Sequence, residues 1–288
     1  MSFIKLLAEG KISPAIDIYE VYGALFLGRD PEEAHKIYCD PESFFKITYI
    51  TPGFRQHLED FLKKLAAGES QIYTLPALLG AGKSHFLALV LHIIALYRRC
   101  KGSGECVSRY LADYGIELYT PTLAKVPNVA VFRYGRVLGE FERRLRSLAT
   151  KEELRGVLRG VSPIVLLFDE TQHLEEEPGF VQWIQTLAEV AGEIKGVYLF
   201  VSYSLFPEGG RGPVLESFKS QDAVERMNVI RISLDTAKNI AAVFRRWAGL
   251  APKKVDVAPL RGVVSEEKLR EFERGLEDAY PFNPVFLD

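Results

Sequence analysis

The chain has 288 residues, of which 48% are hydrophobic and 26% are charged, a balance typical of folded globular proteins and not of disordered ones. Its formal net charge of −2 at pH 7 provides no overall attraction to nucleic acid or to an anionic membrane. DNA binding through a local basic strip stays open. A chain of this length can bury a large core in one domain, with or without a small appendage.

The first residues and the cysteines provide information on the cellular compartment of the protein. Only a short apolar run follows Lys5, so we expect neither a leader nor a membrane span, and a cytoplasmic protein. Three cysteines do not form a secreted framework, and free thiols are the default in the cytoplasm. Cys100 and Cys106 flank a short polar loop, however, and a disulfide between them stays open.

The predicted elements begin with helices. Residues 1–65 are expected to form a helical N-terminal segment that packs on a core. A helix start is predicted at Asp30-Pro31-Glu32-Glu33, and helix breaks are predicted at Pro41 and Pro52.

From residue 66 onward, apolar strands and helices alternate. This alternation predicts an α/β core over 66–248, in which helices flank a mostly parallel sheet. The predicted strands cover residues 71–76, 128–134, 163–169, 196–203 and 228–233. A helix is expected from Asp235 to about Trp247, and residues 249–288 are expected to form a partial helical lid or appendage.

One motif lies between the first predicted strand and a buried apolar helix, and it consists of Leu79-Gly80-Ala81-Gly82-Lys83-Ser84-His85. Gly-Lys-Ser at such a junction is typical of loops that bind nucleoside triphosphates. Backbone N–H groups then face the phosphates, Lys83 reaches the β and γ oxygens, and Ser84 ligates Mg²⁺. The full pattern requires glycine at position 77, where this chain has alanine. ATP is favoured over GTP because no Asn-Lys-x-Asp segment occurs.

A second motif is the apolar run Pro163 to Phe168, which ends in two acids, Asp169 and Glu170. Ligands of open α/β sheets bind beyond the carboxyl ends of the strands, so these acids are expected beside the phosphate loop. Asp169 would hold Mg²⁺, and Glu170 would act as general base on the attacking water. The alternative is a core strand that ends in an exposed acidic turn.

Three other polar side chains, those of Ser202, Ser204 and His85, have open roles. The strand over 196–203 ends in a run with hydroxyls, and Ser202 or Ser204 would either contact the γ-phosphate or orient water, or merely cap the strand end. His85 would either contact nucleotide or Asp169, or pack against the sheet.

Taken together, these segments resemble DUF499, a prokaryotic family of AAA-type P-loop ATPases named as a domain of unknown function. The resemblance covers roughly residues 30 to 288. It rests on Asp40 to Thr51, the phosphate-loop motif with His85, Asp169-Glu170, Arg226, Arg245-Arg246, and Tyr280-Pro281-Phe282-Asn283-Pro284. Asn283 replaces a histidine that is usual in the family, and members continue beyond this point, so we expect an incomplete lid.

The resemblance implies an ATPase that drives assembly or remodelling of partners, in a defence or DNA-modification system. It also implies that Arg226 is an arginine finger, which completes the ATP site of a neighbouring subunit in a homo-oligomer. Alternatively, a partner protein supplies the arginine to the site of this chain. Arg211 is a second candidate for the finger, and an ion pair of Arg226 with Glu225 is the plain alternative.

Two other functions stay open. The chain could be a switch or scaffold subunit that binds ATP with little hydrolysis of its own. It could also be a DNA-binding adaptor that uses Lys253-Lys254 and Arg143-Arg144-Arg146, although such clusters are usually solvated helix faces.

Overall fold

The structure is a computed structural model that describes residues 3–77, 82–175, 177–204, 227–230 and 237–250, together with Glu267 and Arg270. The lid predicted over 249–288 therefore lies almost entirely outside the described residues.

The described residues contain a five-stranded sheet in which every pairing is parallel. Its strands are β1 (Gln71–Ala77), β2 (Asn128–Arg133), β3 (Ile164–Asp169), β4 (Val197–Ser204) and β5 (Met227–Val229). Their order across the sheet is β2-β3-β4-β1-β5. The predicted parallel α/β sheet is confirmed, and β4 separates the strand before the phosphate loop from the strand that carries the two acids.

Helices make up most of the remaining described structure. They are α1 (Phe3–Ala8), α2 (Ile18–Phe26), α3 (Lys36–Cys39), α4 (Pro41–Ile47), α5 (Pro52–Ala67), α6 (Lys83–Arg99), α7 (Gly104–Ala112), α8 (Glu140–Ser147), α9 (Lys151–Val161), α10 (Thr171–Leu174), α11 (Phe180–Glu193) and α12 (Ala237–Ala248). Within the described part of the chain, none of these helices combines the length and apolar character that crossing a bilayer requires.

The helix start predicted at Asp30-Pro31-Glu32-Glu33 falls at the end of that run, where a 3-10 helix, Glu33–His35, begins and leads directly into α3. The two predicted breaks are helix starts: Pro41 and Pro52 occupy the first positions of α4 and α5. Proline is suited to that position because its missing N–H would have no partner inside the helix. The preceding Asp40 side chain accepts a hydrogen bond from Ser43 N at 2.8 Å and caps α4.

A disulfide joins Cys100 to Cys106, so the default of free thiols is wrong for these two residues. Cys100 ends α6 and Cys106 lies in the first turn of α7, and the short loop between them brings their Cα atoms to 5.7 Å. That separation is within the usual range for a disulfide. Cys39 is the remaining cysteine, and its thiol is free and buried.

The N-terminal segment shares one hydrophobic core with α6 and one face of the sheet. The ring of Phe54 in α5 contacts that of Phe86 in α6 edge to face at 5.2 Å. Phe44 in α4 stacks on His92 of α6 with ring centroids 4.1 Å apart. The opposite face of the sheet packs on a second cluster, to which α9 and α11 contribute. The helix after the phosphate loop is therefore enclosed between the N-terminal segment and the sheet.

Side chains of α12 donate hydrogen bonds to the N-terminal segment. Arg246 Nη2 donates to the carbonyl oxygens of Phe45 and Tyr114, each at 2.7 Å. Trp247 Nε1 donates to the carbonyl oxygen of Ile47 at 3.1 Å. Phe45 and Ile47 belong to α4 of the N-terminal segment, and Tyr114 follows α7, so α12 contacts residues on both sides of β1 in sequence.

The burial of His92 predicts a loss of stability in acid. Its ring is fully buried and bonded to the carbonyl oxygen of Tyr38 at 2.8 Å, and burial lowers its pKa to about 4 from an ordinary 6.5. Between those values the unfolded chain binds a proton that the folded chain does not, so stability is complete above 6.5 and falls as the pH drops. Denaturant unfolding at a series of pH values measures the free energy of unfolding. As the pH drops, that free energy should fall less steeply for His92→Gln than for the parent, by up to about 1.4 kcal/mol per pH unit. Equal slopes for the parent and the variant would contradict a neutral His92.

Candidate functional site

The first turn of α6 carries the end of the phosphate-loop motif. Gly82 has φ of 97°, the left-handed region that glycine tolerates, and it begins the helix without any side-chain cap. A helix start of this kind is a usual place for an anion to bind. The side chain of Lys83 is buried at this end of the sheet. Leu79, Gly80 and Ala81 lie outside the described residues.

The two sequence motifs meet at the carboxyl end of the sheet. Ser84 Oγ on α6 donates to Asp169 Oδ2 at 3.4 Å, across 85 residues of sequence. Ser202 Oγ on β4 donates to Asp169 Oδ1 at 2.6 Å and accepts a hydrogen bond from Glu170 N at 3.2 Å. Neither role suggested for Ser202 included this one: its hydroxyl joins the two acids and fixes their relative positions.

Burial acts on both charges of the site. Asp169 is 1% exposed, and its burial raises the pKa of the carboxyl group above the usual value, against the Ser202 hydrogen bond and the nearby charge of Arg133. Burial likewise lowers the pKa of Lys83, while the charges of Asp169 and Glu170 act in the opposite direction. The site therefore holds an acid and a base whose charged forms are both disfavoured, which is common where a charged ligand binds.

Sequence reasoning missed Arg133, which lies at the carboxyl end of β2 in register with Asp169. Its guanidinium donates to Glu170 through Nε at 3.3 Å and through Nη2 at 3.4 Å. It also forms an ion pair with Asp17, at the start of α2. A signal was available for Arg133, since it lies next to the carboxyl end of the strand predicted over 128–134. Nothing in the sequence indicated Asp17.

Glu170 itself has φ of 54°, in the left-handed region that residues other than glycine rarely adopt. Its backbone is held there by the hydrogen bond to Ser202. Such strained positions are frequent at functional sites. The carboxylate is 41% exposed, so it remains accessible to water.

His85 lies in the first turn of α6 and faces the N-terminal segment. Its Nε2 lies 3.1 Å from Thr48 Oγ1, and its ring centroid lies 5.2 Å from that of Phe44. Desolvation by these neighbours lowers its pKa to about 4. The ring therefore packs between α6 and the N-terminal segment. It also borders the cavity that lies over Lys83 and Asp169.

A cavity of about 470 Å³ lies over these side chains. One side is polar and includes Lys83, Ser84, Arg133, Asp169 and Glu170. The other side is mostly apolar and is formed by the N-terminal segment and α12. Its members include Phe3, Leu7, Pro14, Ala15, Ile16, Tyr49, Val243 and Trp247. A second cavity of about 690 Å³ adjoins it at Tyr49 but borders none of the predicted site residues.

The structure gives no position for several other predicted residues. Arg226, Arg211 and Lys253-Lys254 lie outside the described residues, and so does Asn283. Arg146 places its guanidinium over the ring of Trp183 at 4.9 Å, a packing role and not a free basic face.

Comparison with known proteins adds a family match and distant structural likenesses. The sequence model described as the DUF499 N-terminal domain matches residues 11–120. The match includes the N-terminal segment and the phosphate-loop motif and ends before Asp169. No curated protein shows significant sequence similarity to the chain.

Three solved structures are similar in overall arrangement at low identity. A chain of the E. coli MS115-1 HORMA:CdnC:Trip13 complex shares 11% identity with a TM-score of 0.38, over 81% of this chain and 76% of that one. A chain of Drosophila ORC bound to DNA shares 13% with a TM-score of 0.40, over 96% and 64%. The Aeropyrum pernix ORC1 protein in complex with DNA shares 14% with a TM-score of 0.38, over 83% and 65%. The chain thus spans just under two thirds of the two ORC chains. Likeness at this level gives no information on activity.

The buried charge of Asp169 predicts that removing it stabilises the fold. Because burial raises the pKa of Asp169 above its ordinary 3.8, the folded chain resists ionisation of this group. Stability is therefore lost as the pH rises from 3.8 through the pKa that Asp169 has in the folded chain. Asp169→Asn keeps an acceptor for Ser202 and should raise Tm at neutral pH, by about 2–4 °C for each kcal/mol gained. The gain should shrink towards acidic pH, where Asp169 is protonated in both states.

Differential scanning fluorimetry without nucleotide measures this gain. Asp113→Asn is the matched control, because Asp113 is an exposed acid at the end of α7 and its loss should leave Tm unchanged. A Tm for Asp169→Asn below that of the parent at neutral pH would show that the carboxylate stabilises the fold.

Proposed function

We propose that the chain binds ATP with Mg²⁺ in the 470 Å³ cavity and hydrolyses it. The observation that carries the proposal is the contact of Ser84 Oγ with Asp169 Oδ2 at 3.4 Å, because it joins the phosphate-loop motif to the acidic strand. A triphosphate beside that contact would face the uncapped start of α6 and the ammonium group of Lys83. Both supply positive charge to phosphate oxygens.

The residues present fit a magnesium ion. Mg²⁺ prefers oxygen ligands and is commonly held by one or two protein groups, with water and phosphate supplying the rest. Ser84 and Asp169 provide a hydroxyl and a nearly buried carboxylate on facing elements. When bound, Mg²⁺ would neutralise phosphate charge and stabilise the charge that develops during transfer. Asp169 must be ionised to serve as ligand, and the cation would favour that form.

Glu170 is the proposed general base. Its carboxylate would accept a proton from the water that attacks the γ-phosphorus, as the bond to the departing diphosphate breaks. Ser202 contributes by holding the Glu170 backbone and the Asp169 carboxylate in one arrangement. The apolar side of the cavity, including Tyr49 and Trp247, offers the contacts that a purine base requires.

One observation favours a second function, an ATP-binding switch or scaffold with little hydrolysis of its own. Glu170 is paired with Arg133, so its carboxylate is engaged before any water is bound. On this reading, turnover that drives assembly or remodelling of partners depends on an event that releases Glu170. A transition-state arginine would then come from Arg226 of a second copy or from a partner protein, and a role on DNA stays a further proposal.

Two substitutions separate binding from hydrolysis. Lys83→Ala should abolish ATP binding, because it removes the buried cation beside the phosphates. Glu170→Gln should bind ATP with parental affinity but release phosphate roughly 10²- to 10⁴-fold more slowly, the usual contribution of a general base. Calorimetric titration with ATP and Mg²⁺ and a phosphate-release assay measure the two effects.

Lys46→Ala is the control for these substitutions, because Lys46 is 65% exposed and forms an ion pair with the equally exposed Glu42. It should leave both measurements unchanged. Parental turnover in both Lys83→Ala and Glu170→Gln would refute the site.

The two functions differ in how turnover depends on protein concentration. If an arginine acts between subunits, specific activity should rise with protein concentration and reach a plateau as the assembly saturates. Size-exclusion chromatography with light scattering, at matching concentrations, should show association over the same range. A constant low specific activity in a fully assembled sample would favour the switch.

A further inference from the structure

Arg133 is shared by two carboxylates from distant parts of the chain. One is Glu170, the proposed base, at 3.3 and 3.4 Å. The other is Asp17, which pairs with Arg133 Nη1 and is only 7% exposed. Strong charge-assisted bonds between such groups are about 2.7–2.9 Å long, so the bonds to Glu170 are loose. Arg133 is thus held at Nη1 by the charge of the nearly buried Asp17, without a hydrogen bond, and at Nε and Nη2 by two long hydrogen bonds to the base.

Asp17 is itself fixed by several contacts. Its side chain caps α2 by accepting a hydrogen bond from Tyr19 N at 2.9 Å, and it pairs with a second arginine, Arg136. Burial acts to raise the pKa of Asp17, but the Arg136 hydrogen bond and the charge of Arg133 outweigh it and hold the pKa below the usual value. Because α2 packs against α6 and β2, Asp17 is a rigid anchor and not a mobile surface acid.

Given the hydrolysis proposed above, on which this inference rests, we propose that Asp17 is a positioning residue for Glu170. By holding Arg133, Asp17 limits how tightly that arginine can bind the base, and the N-terminal segment thereby sets the rate of hydrolysis. Without the charge of Asp17, Arg133 would turn wholly to Glu170. A base held in a tighter ion pair is less available to accept a proton from water.

The test uses Asp17→Asn in the full chain. Asparagine caps a helix as well as aspartate does, so α2 keeps its start while the charge is lost. The kcat for ATP hydrolysis should fall roughly two- to fivefold, the effect of strengthening one partly exposed ion pair, and KM should be unchanged. Arg133→Gln should have the opposite effect on kcat, because it releases Glu170. It should still fold, since Asp17 retains Arg136 and Tyr19 N.

The double variant is decisive. If Asp17 acts only through Arg133, then Asp17→Asn with Arg133→Gln should have the kcat of Arg133→Gln alone. A merely structural role would lower kcat by the same factor in both backgrounds, and that result would overturn the proposal. So would an effect of Asp17→Asn on KM in place of kcat.

Two further variants complete the design. Glu20→Gln removes a neighbouring acid that reaches Arg136 at 3.8 Å but is not paired with Arg133, and kcat should remain parental. Glu170→Gln identifies which proposal fails. If it leaves turnover unchanged, or if the parent has no turnover, the proposed function fails and this inference with it. If it abolishes turnover while the double variant behaves additively, only the role of Asp17 is refuted.

Discussion

The arrangement of the site depends on one buried carboxylate. Asp169 is almost fully buried. A charge there costs free energy unless protein groups make the hydrogen bonds that water would otherwise make. Ser202 from β4 bonds one of its oxygens and Ser84 from α6 bonds the other. Both bonds require β4 to lie between β1 and β3, so that three carboxyl ends share one edge. Strand order, register and the start of α6 are therefore constrained by the same acid.

Meeting these constraints has a local energetic cost. Burial disfavours the charged forms of both Lys83 and Asp169, and Glu170 has a strained backbone. Natural proteins tolerate such local cost where function requires it. A bound Mg²⁺–triphosphate would supply an anion for Lys83 and a cation for Asp169, so ligand binding would relieve both penalties and stabilise the fold.

The sequence was most informative where one local pattern implied one arrangement. Apolar runs located the strands, and the rule that parallel strands end at one edge placed Lys83 and Asp169 together. Other features depend on contacts that no local pattern specifies. The Asp17 side chain resembles any helix cap, and its pairing with Arg133 exists only because α2 folds onto β2. The spacing of Cys100 and Cys106 was likewise compatible with either a disulfide or two free thiols.

The N-terminal segment is part of the site and not merely attached to the core. It reaches the phosphate-loop helix through Thr48 and His85, and it reaches the acidic edge through Asp17. It also receives α12 through Trp247, so that segment and helix together form the apolar side of the cavity. A ligand can shift a conformation only through contacts that differ between states. Because the segment, α6 and α12 all line this cavity, a ligand that fills it would contact all three. A change in their relative position would then alter its affinity, and by the same linkage its binding would favour one position.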